Sequence, residues 1–173
     1  AAADADEEES SEDESEDEER RQQLDWRRMN TLHNAGTCLN AMKDFEEAVA
    51  LLESVAADKH AYLRTNAGHK SSVARTEAAL AHARLGVGAV DEALTAIVWA
   101  IAAFADAGPS FDHAYALDVH GRVLEARGDL ATGVEQVRAA KAMMLTLLPP
   151  DHAQVIAITE RIERMEADLA RSP

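Results

Sequence analysis

The chain has 173 residues, of which 47% are apolar, 28% charged and 4% aromatic; this is enough for one compact domain or a short repeat array, and too little for two full domains. Because alanine and leucine dominate and aromatic side chains are few, the core must form where helices approach closely, which predicts an all-α fold. The formal net charge of −15 comes mainly from residues 1–19, and the rest of the chain, with 20 acidic and 17 basic residues, lacks the basic patch that nucleic-acid binding requires.

Several further classes of function are excluded by what the sequence lacks. The single cysteine, Cys38, cannot form an internal disulfide, and no group of cysteines and histidines has the spacing of a zinc site. No apolar run reaches the roughly 20 residues that span a bilayer. No glycine-rich phosphate loop, nucleophile elbow or HExxH motif occurs. We therefore expect no enzymatic activity, no metal, no cofactor and no membrane insertion.

The sequence favours one cellular location and leaves one alternative. The absence of disulfides predicts an intracellular, cytoplasmic protein. The chain begins at Ala1 rather than at a methionine, so we expect a processed product or a fragment of a longer protein. An organelle reached by means of a cleaved targeting peptide is the alternative location.

The first predicted element is an acidic tail over residues 1–22. Up to Glu19 it contains aspartate, glutamate, serine and alanine, which bury nothing that could offset the entropy of ordering, so we expect disorder. Ser10, Ser11 and Ser15 each have an acidic residue three positions later, a spacing that resembles the sites of acidophilic kinases such as casein kinase 2. The tail is either a solubilising segment or a docking arm for a basic partner, which phosphorylation would strengthen.

Residues 23–173 are predicted to form one domain with three internal repeats, at about 29–62, 74–107 and 114–147. Each repeat has one small residue in its first predicted helix and another 12 positions later in its second. Small residues let two antiparallel helices approach closely while larger side chains interdigitate between them. Each repeat is therefore predicted to be a helical hairpin. The small residues are Gly36 and Ala48, Ala81 and Ala93, and Gly121 and Gly133.

The sequence also predicts the conformation of the turns within the hairpins. Gly128 tolerates a positive φ, and the side chain of Asp129 can cap the next helix. Lys43 and Asp44 hold the same places in the first repeat. The second repeat has Gly86-Val87-Gly88-Ala89, which keeps the glycine but lacks the capping acid. We therefore expect this turn to be the loosest of the three.

The last predicted helix, at about 152–170, has one apolar stripe and no partner helix. Glu160 stands where a fourth repeat would need its small residue, so we expect a capping helix that covers the exposed end of the third hairpin. The stripe consists of Val155, Ile158, Ile162, Met165 and Leu169.

The three repeats resemble those of the tetratricopeptide-repeat (TPR) family, and more narrowly the extended repeats of the kinesin light chain type. Thr31-Leu32-His33-Asn34 is similar to the start of a kinesin light chain repeat, and Leu147-Leu148-Pro149-Pro150-Asp151-His152 to the stretch between its repeats. The resemblance implies a TPR-like α-solenoid. Its concave groove, lined by the first helix of each hairpin, would bind a peptide or helix of a protein partner.

The resemblance also implies which residues line the groove, namely those that face outward from the first helices. The first repeat offers an amide-rich row that can donate to and accept from a peptide backbone, whereas the other two repeats offer a mixed set. An ordinary solvated helix face is the alternative interpretation. The predicted groove residues are Asn30, His33, Asn34, Thr37, Asn40, Arg75, His82, Tyr115, Asp118 and Arg122.

One known mode of TPR binding is not expected. TPR proteins that grip the C-terminal tails of the chaperones Hsp70 and Hsp90 use lysine, asparagine and arginine at fixed groove positions, and the matching positions are His33, Thr37, Ala79, Tyr115 and Val119. The leading hypothesis is a protein-interaction module or adaptor. The alternatives are a structural subunit of a larger complex, and a regulator of an enzyme or chaperone of a basic protein that uses the acidic tail.

Overall fold

The computed structural model describes the backbone of residues 2–105 and 107–171, and the side chains of residues 17–105 and 107–171. The regular structure of these residues is helical, without a strand. It comprises α1 (Ala2–Met42), α2 (Phe45–Leu63), a short 3-10 helix (Ala67–His69), α3 (Lys70–Gly86), α4 (Val90–Phe104), α5 (Phe111–Arg127), α6 (Leu130–Leu145) and α7 (Ala153–Arg171).

Consecutive helices pair as hairpins, and the hairpins stack in chain order. α1 packs on α2, α3 on α4, and α5 on α6; between hairpins, α2 packs on α3, α4 on α5, and α6 on α7. The first helices also touch one another, α1 with α3 and α3 with α5. The prediction of an all-α, TPR-like solenoid of three hairpins and a closing helix is confirmed.

The small residues that define the repeats are all buried in the structure. In the third hairpin, a Cβ added to Gly121 would lie 2.7 Å from the carbonyl oxygen of Gly133, and one added to Gly133 would lie 2.8 Å from that of Gly121. In the first hairpin, a Cβ at Gly36 would lie 2.5 Å from the side chain of Leu52. The third hairpin therefore closes to a separation at which only glycine fits on either helix.

The turns of the second and third hairpins have the glycine conformations and the capping difference that their sequences predict. Gly128 has a left-handed φ of 92°, and Asp129 Oδ1 accepts a hydrogen bond from the backbone N–H of Thr132 at 3.3 Å. Gly88 likewise has a φ of 80°, but Ala89, at the N-cap of α4, offers no side-chain acceptor. The third turn is thus capped and the second is not.

The first turn departs from its counterpart in the third hairpin. Lys43 takes the left-handed position with a φ of 66°, a conformation that costs a side chain with a Cβ about 1–2 kcal/mol. Asp44 occupies the N-cap of α2 but makes no side-chain capping bond. The first turn therefore carries backbone strain without the compensation of a cap.

The acidic segment differs from its predicted state. α1 has 41 residues and α2 has 19, so the N-terminal half of α1 extends past the hairpin, and the helix continues through residues 2–22 where we expected disorder. Alanine and glutamate favour helix, and acidic residues near a helix N-terminus interact favourably with its dipole. Residues 17–25 are exposed, while the serines Ser10, Ser11 and Ser15 lie outside the described side chains.

α7 closes the array as a capping helix. Its apolar stripe packs against the second helix of the third hairpin, next to Val134, Val137 and Met144 of α6. Leu169, the last predicted member of the stripe, is 39% exposed. The buried members are Val155, Ile158, Ile162 and Met165.

Candidate protein-binding surface

The candidate site is the inner surface, which we define as the surface formed by α1, α3, α5 and α7 where these helices lie side by side. α1 contacts α3, and α3 contacts α5. Ion pairs join α5 to α7, including both carboxylate oxygens of Glu125 with Arg164. The ten predicted groove residues lie on the first three of these helices. The structure divides them into residues buried between helices and residues that reach solvent.

Asn30 is engaged by a lysine from the second helix. Lys59 of α2 is fully buried, and its Nζ donates to Asn30 Oδ1 at 2.9 Å and to Ser72 Oγ at 3.1 Å. The ring of Trp26 packs against the same ammonium group, with its centroid 5.2 Å from Nζ. Burial, and next the charge of Arg75, lower the pKa of Lys59 to about 8. These contacts tie α1, α2 and α3 together.

His33 and Asn40 lie in the contact between α1 and α3, where they are 4% and 5% exposed. Asn40 Nδ2 donates to the carbonyl oxygen of Ala79 at 2.8 Å, and His33 Nδ1 lies 3.2 Å from Thr76 Oγ1. Burial is the main cause that lowers the pKa of His33 to about 4, so the imidazole is neutral. The prediction that both residues face a ligand needs correction, because α3 approaches α1 closely enough to cover them.

Asn34 and Thr37 lie on the solvent side of α1. Thr37 is partly buried, and its Oγ1 donates to the carbonyl oxygen of Asn34 at 2.8 Å. Asn34 is exposed. Of the three predicted groove asparagines, Asn34 therefore has the side-chain amide that is free to meet a peptide backbone.

Arg75 extends the surface from α3 towards α5. Its Nε lies 3.6 Å from Asp112 Oδ2, with 38% of the arginine side chain and 48% of the aspartate side chain exposed. Burial raises the pKa of Asp112, and the charge of Arg75 opposes that rise. Because the pair is open to solvent, it is a weak link between two first helices.

His82, Tyr115 and Arg122 are brought together between α3 and α5. His82 Nδ1 lies 2.8 Å from Tyr115 Oη, and His82 Nε2 lies 3.1 Å from Nη2 of Arg122. Burial, and then the charges of Arg122 and Arg161, lower the pKa of His82 to about 4. Burial also raises the pKa of Tyr115. At neutral pH the cluster therefore has an uncharged imidazole, an uncharged phenol and one guanidinium.

Asp118 is buried between α5 and α7, with 7% of its surface exposed. Its Oδ1 lies 2.9 Å from Arg161 Nε, and the two side chains form a close ion pair. The N–H of Arg161 Nε is not aligned with this oxygen, so both atoms are buried without a hydrogen bond. Burial raises the pKa of Asp118, and Arg161 and Arg122 oppose that rise. Its predicted place in the groove needs correction, because α7 covers it.

Two residues that contact predicted groove residues, Lys59 and Arg161, were not predicted from the sequence. Lys59 stands seven, four and three positions after Leu52, Val55 and Ala56 along the buried stripe of α2, and this helical spacing is the signal that could have found it. Arg161 directly precedes Ile162 of the apolar stripe of α7. No sequence signal pairs it with an aspartate 43 positions earlier.

Among the residues with described side chains, no group of three or more histidine, cysteine, aspartate or glutamate residues is placed to hold a metal ion. No helix in the described ranges combines the length and the apolar character that crossing a membrane requires.

Two depressions lie next to α2. One, of about 320 Å³, lies between α1 and α2, and its lining includes Met29, Leu32 and Tyr62. The other, of about 430 Å³, lies between α2 and α3, and its lining includes His60 and Glu77. Neither is lined by a predicted groove residue.

Comparison with known proteins identifies the fold. No family model matches the chain, and no curated protein matches it. It is similar to two crystal structures of nearly identical TPR-like repeats of a putative kinesin light chain from Podosopora anserina. The first is 22% identical, with a TM-score of 0.65 over 80% of this chain and 65% of that one. The second is 21% identical, with a TM-score of 0.55 over 84% of this chain and 78% of that one.

At these identities the likeness concerns the fold alone, and the chain spans less than two thirds of the length of the first structure. The repeat spacing, the stacked hairpins and the two similar structures together identify the chain as a TPR-like repeat protein.

Proposed function

We propose that the inner surface binds a segment of a partner protein, in extended or helical form, and that the chain works as a protein-interaction module or adaptor. A TPR-like repeat fold supports an interaction or scaffold role in general. The specific role assigned to the inner surface rests on the arrangement of its side chains.

One observation carries the proposal. Buried polar contacts hold α1 against α3, whereas Asn34, Arg75 and Arg122 reach solvent, one on the first helix of each hairpin. A segment laid across α1, α3 and α5 would therefore meet a hydrogen-bond donor on every hairpin. Donors spaced in this way suit the carbonyl oxygens and acidic side chains of a peptide.

The test uses a peptide obtained by selection from a displayed random library against the full chain. Its affinity is then measured by fluorescence polarisation for Asn34→Ala and for Arg122→Gln. Each change should weaken binding by about 5- to 100-fold, because each removes one hydrogen bond, and the arginine a charged one.

Matched controls are available on the exposed surface. Glu135 of α6 and Arg127 at the end of α5 are exposed and lie outside the inner-surface contacts, so Glu135→Ala and Arg127→Gln should leave the affinity unchanged. Circular dichroism melts check that all four variants are folded. Equal affinity of Asn34→Ala, Arg122→Gln and the original chain would remove the inner surface as the binding site.

A further inference from the structure

The hydrogen positions around His82 follow from the chemistry of its two partners. A guanidinium can only donate, so Nε2, which lies 3.1 Å from Arg122 Nη2, must accept. A neutral imidazole carries one proton, which is then on Nδ1 and is donated to Tyr115 Oη at 2.8 Å. Tyr115 Oη is the acceptor in that bond, so its own proton points elsewhere. No described residue accepts it.

The positive charge of Arg122, beside Tyr115, is not paired with a described carboxylate. Its two nearest acidic neighbours on α5 are already paired, Asp118 with Arg161 and Glu125 with Arg164. Arg122 makes no ion pair with a described carboxylate, and its hydrogen bond goes to the neutral ring of His82. A half-buried guanidinium with a neutral partner and four unused N–H groups, beside a free hydroxyl proton, is suited to a carboxylate.

The chain itself contains a ligand of the matching chemistry. Residues 1–19 hold 12 acidic residues and no basic one, and all 12 acidic residues lie on the part of α1 that extends past the hairpin. α1 is continuous over 41 residues, or about 60 Å at 1.5 Å per residue. A continuous helix cannot turn back onto α3 and α5 of its own molecule, so contact with the inner surface has to occur between two molecules.

We propose that Tyr115 and Arg122 form a carboxylate-binding subsite of the inner surface, and that the acidic helix of residues 2–22 from a second copy of the chain occupies it. His82 is a positioning residue, because it directs the hydroxyl proton of Tyr115 and holds Arg122. This inference rests on the proposed function. It adds that the acidic helix competes with the partner for the same surface and so limits partner binding at high protein concentration.

The proposal is tested by sedimentation velocity on the full chain over a range of concentrations at low ionic strength. The mass should rise with concentration, and added salt should reverse the rise, because salt screens the attraction between the acidic helix and Arg122. Arg122→Gln, Tyr115→Phe and the joint change of Glu7, Glu8 and Glu9 to glutamine should each weaken self-association at least about tenfold. Arg127→Gln, the matched control on α5, should associate as the original chain does.

A chain that stays monomeric, or one whose self-association is unchanged in Arg122→Gln and Tyr115→Phe while both remain folded by circular dichroism, overturns the proposal. The selected peptide separates this outcome from failure of the proposed function. A monomeric chain that binds the peptide through Arg122 leaves the proposed function intact and removes only the acidic helix as a ligand. Displacement of the peptide at high concentrations of the original chain, but not of the Glu7, Glu8 and Glu9 variant, supports the competition.

Discussion

Nζ of Lys59 donates a hydrogen bond of 2.9 Å to Oδ1 of Asn30, in a contact where the lysine has no exposed surface. Its other close partners are the hydroxyl of Ser72 and the ring of Trp26, both uncharged. An ammonium group held away from water by neutral partners is less stable than one in solvent. The folded chain therefore releases this proton more readily than the unfolded chain does, which is why the pKa is lowered.

Replacing Lys59 should change how stability depends on pH. Between its folded pKa of about 8 and its ordinary value of 10.5, the unfolded chain binds a proton that the folded chain has released. The free energy of unfolding should therefore rise with pH across this window, by up to about 3 kcal/mol. Below this pH window, Lys59 is protonated in both the folded and the unfolded chain, and the folded chain bears the full free-energy cost of the buried charge. Lys59→Met should lack the rise in urea unfolding, and parallel pH profiles for the two proteins would contradict this.

The close contact of the third hairpin predicts a cost for added methyl groups. In Gly121→Ala and in Gly133→Ala, the new Cβ would press on the backbone of the facing helix, 2.7 Å and 2.8 Å from a carbonyl oxygen. Each should lower the free energy of unfolding by about 1–3 kcal/mol in urea denaturation. Gly68→Ala is the matched control, since nothing lies within 4 Å of its added Cβ. Equal stability of all three variants would show that the helices are farther apart than described.

The strained first turn predicts a stabilising substitution. Lys43 has a φ of 66°, and Gly128 has a φ of 92° at the equivalent place in the third hairpin. Lys43→Gly should therefore raise the free energy of unfolding by about 1 kcal/mol, and Gly128→Ala should lower it by a similar amount. Thermal melts of the two variants should shift in opposite directions. A shift in the same direction would mean that the two turns differ in conformation.

The continuous helix through the acidic segment can be measured directly. Removing residues 1–22 should reduce the number of helical residues per molecule by about 20, as measured by circular dichroism of equimolar solutions, because residues 2–22 belong to α1. If the segment is disordered, as its composition alone predicts, the helical signal per molecule will stay the same.

The fold could be predicted because it is encoded locally and repeatedly. The constant offset of 12 between Gly36 and Ala48, and between Gly121 and Gly133, indicates two helices in close contact without any need to know what lies around them. The turn at Gly128 carries its own signal in the same way. Each such feature depends on a few neighbouring residues, which the sequence shows directly.

The binding residues could be predicted only in part, because their exposure depends on distances between helices. Helical periodicity places Asn30, Asn34 and Asn40 on related faces of α1, but it does not show how closely α3 approaches. The structure leaves Asn34 exposed and engages the other two with Lys59 and Ala79. Which asparagine can meet a ligand is therefore a property of the packing between hairpins.

Mapping of amide chemical shifts by NMR, with the selected peptide added to the full chain, tests the role of the inner surface most directly. We expect the largest shifts around Asn34, Arg75 and Arg122 on the three first helices, and small shifts at exposed residues of α4 and α6. Shifts confined to α4 and α6, or to the two depressions next to α2, would contradict binding at the inner surface.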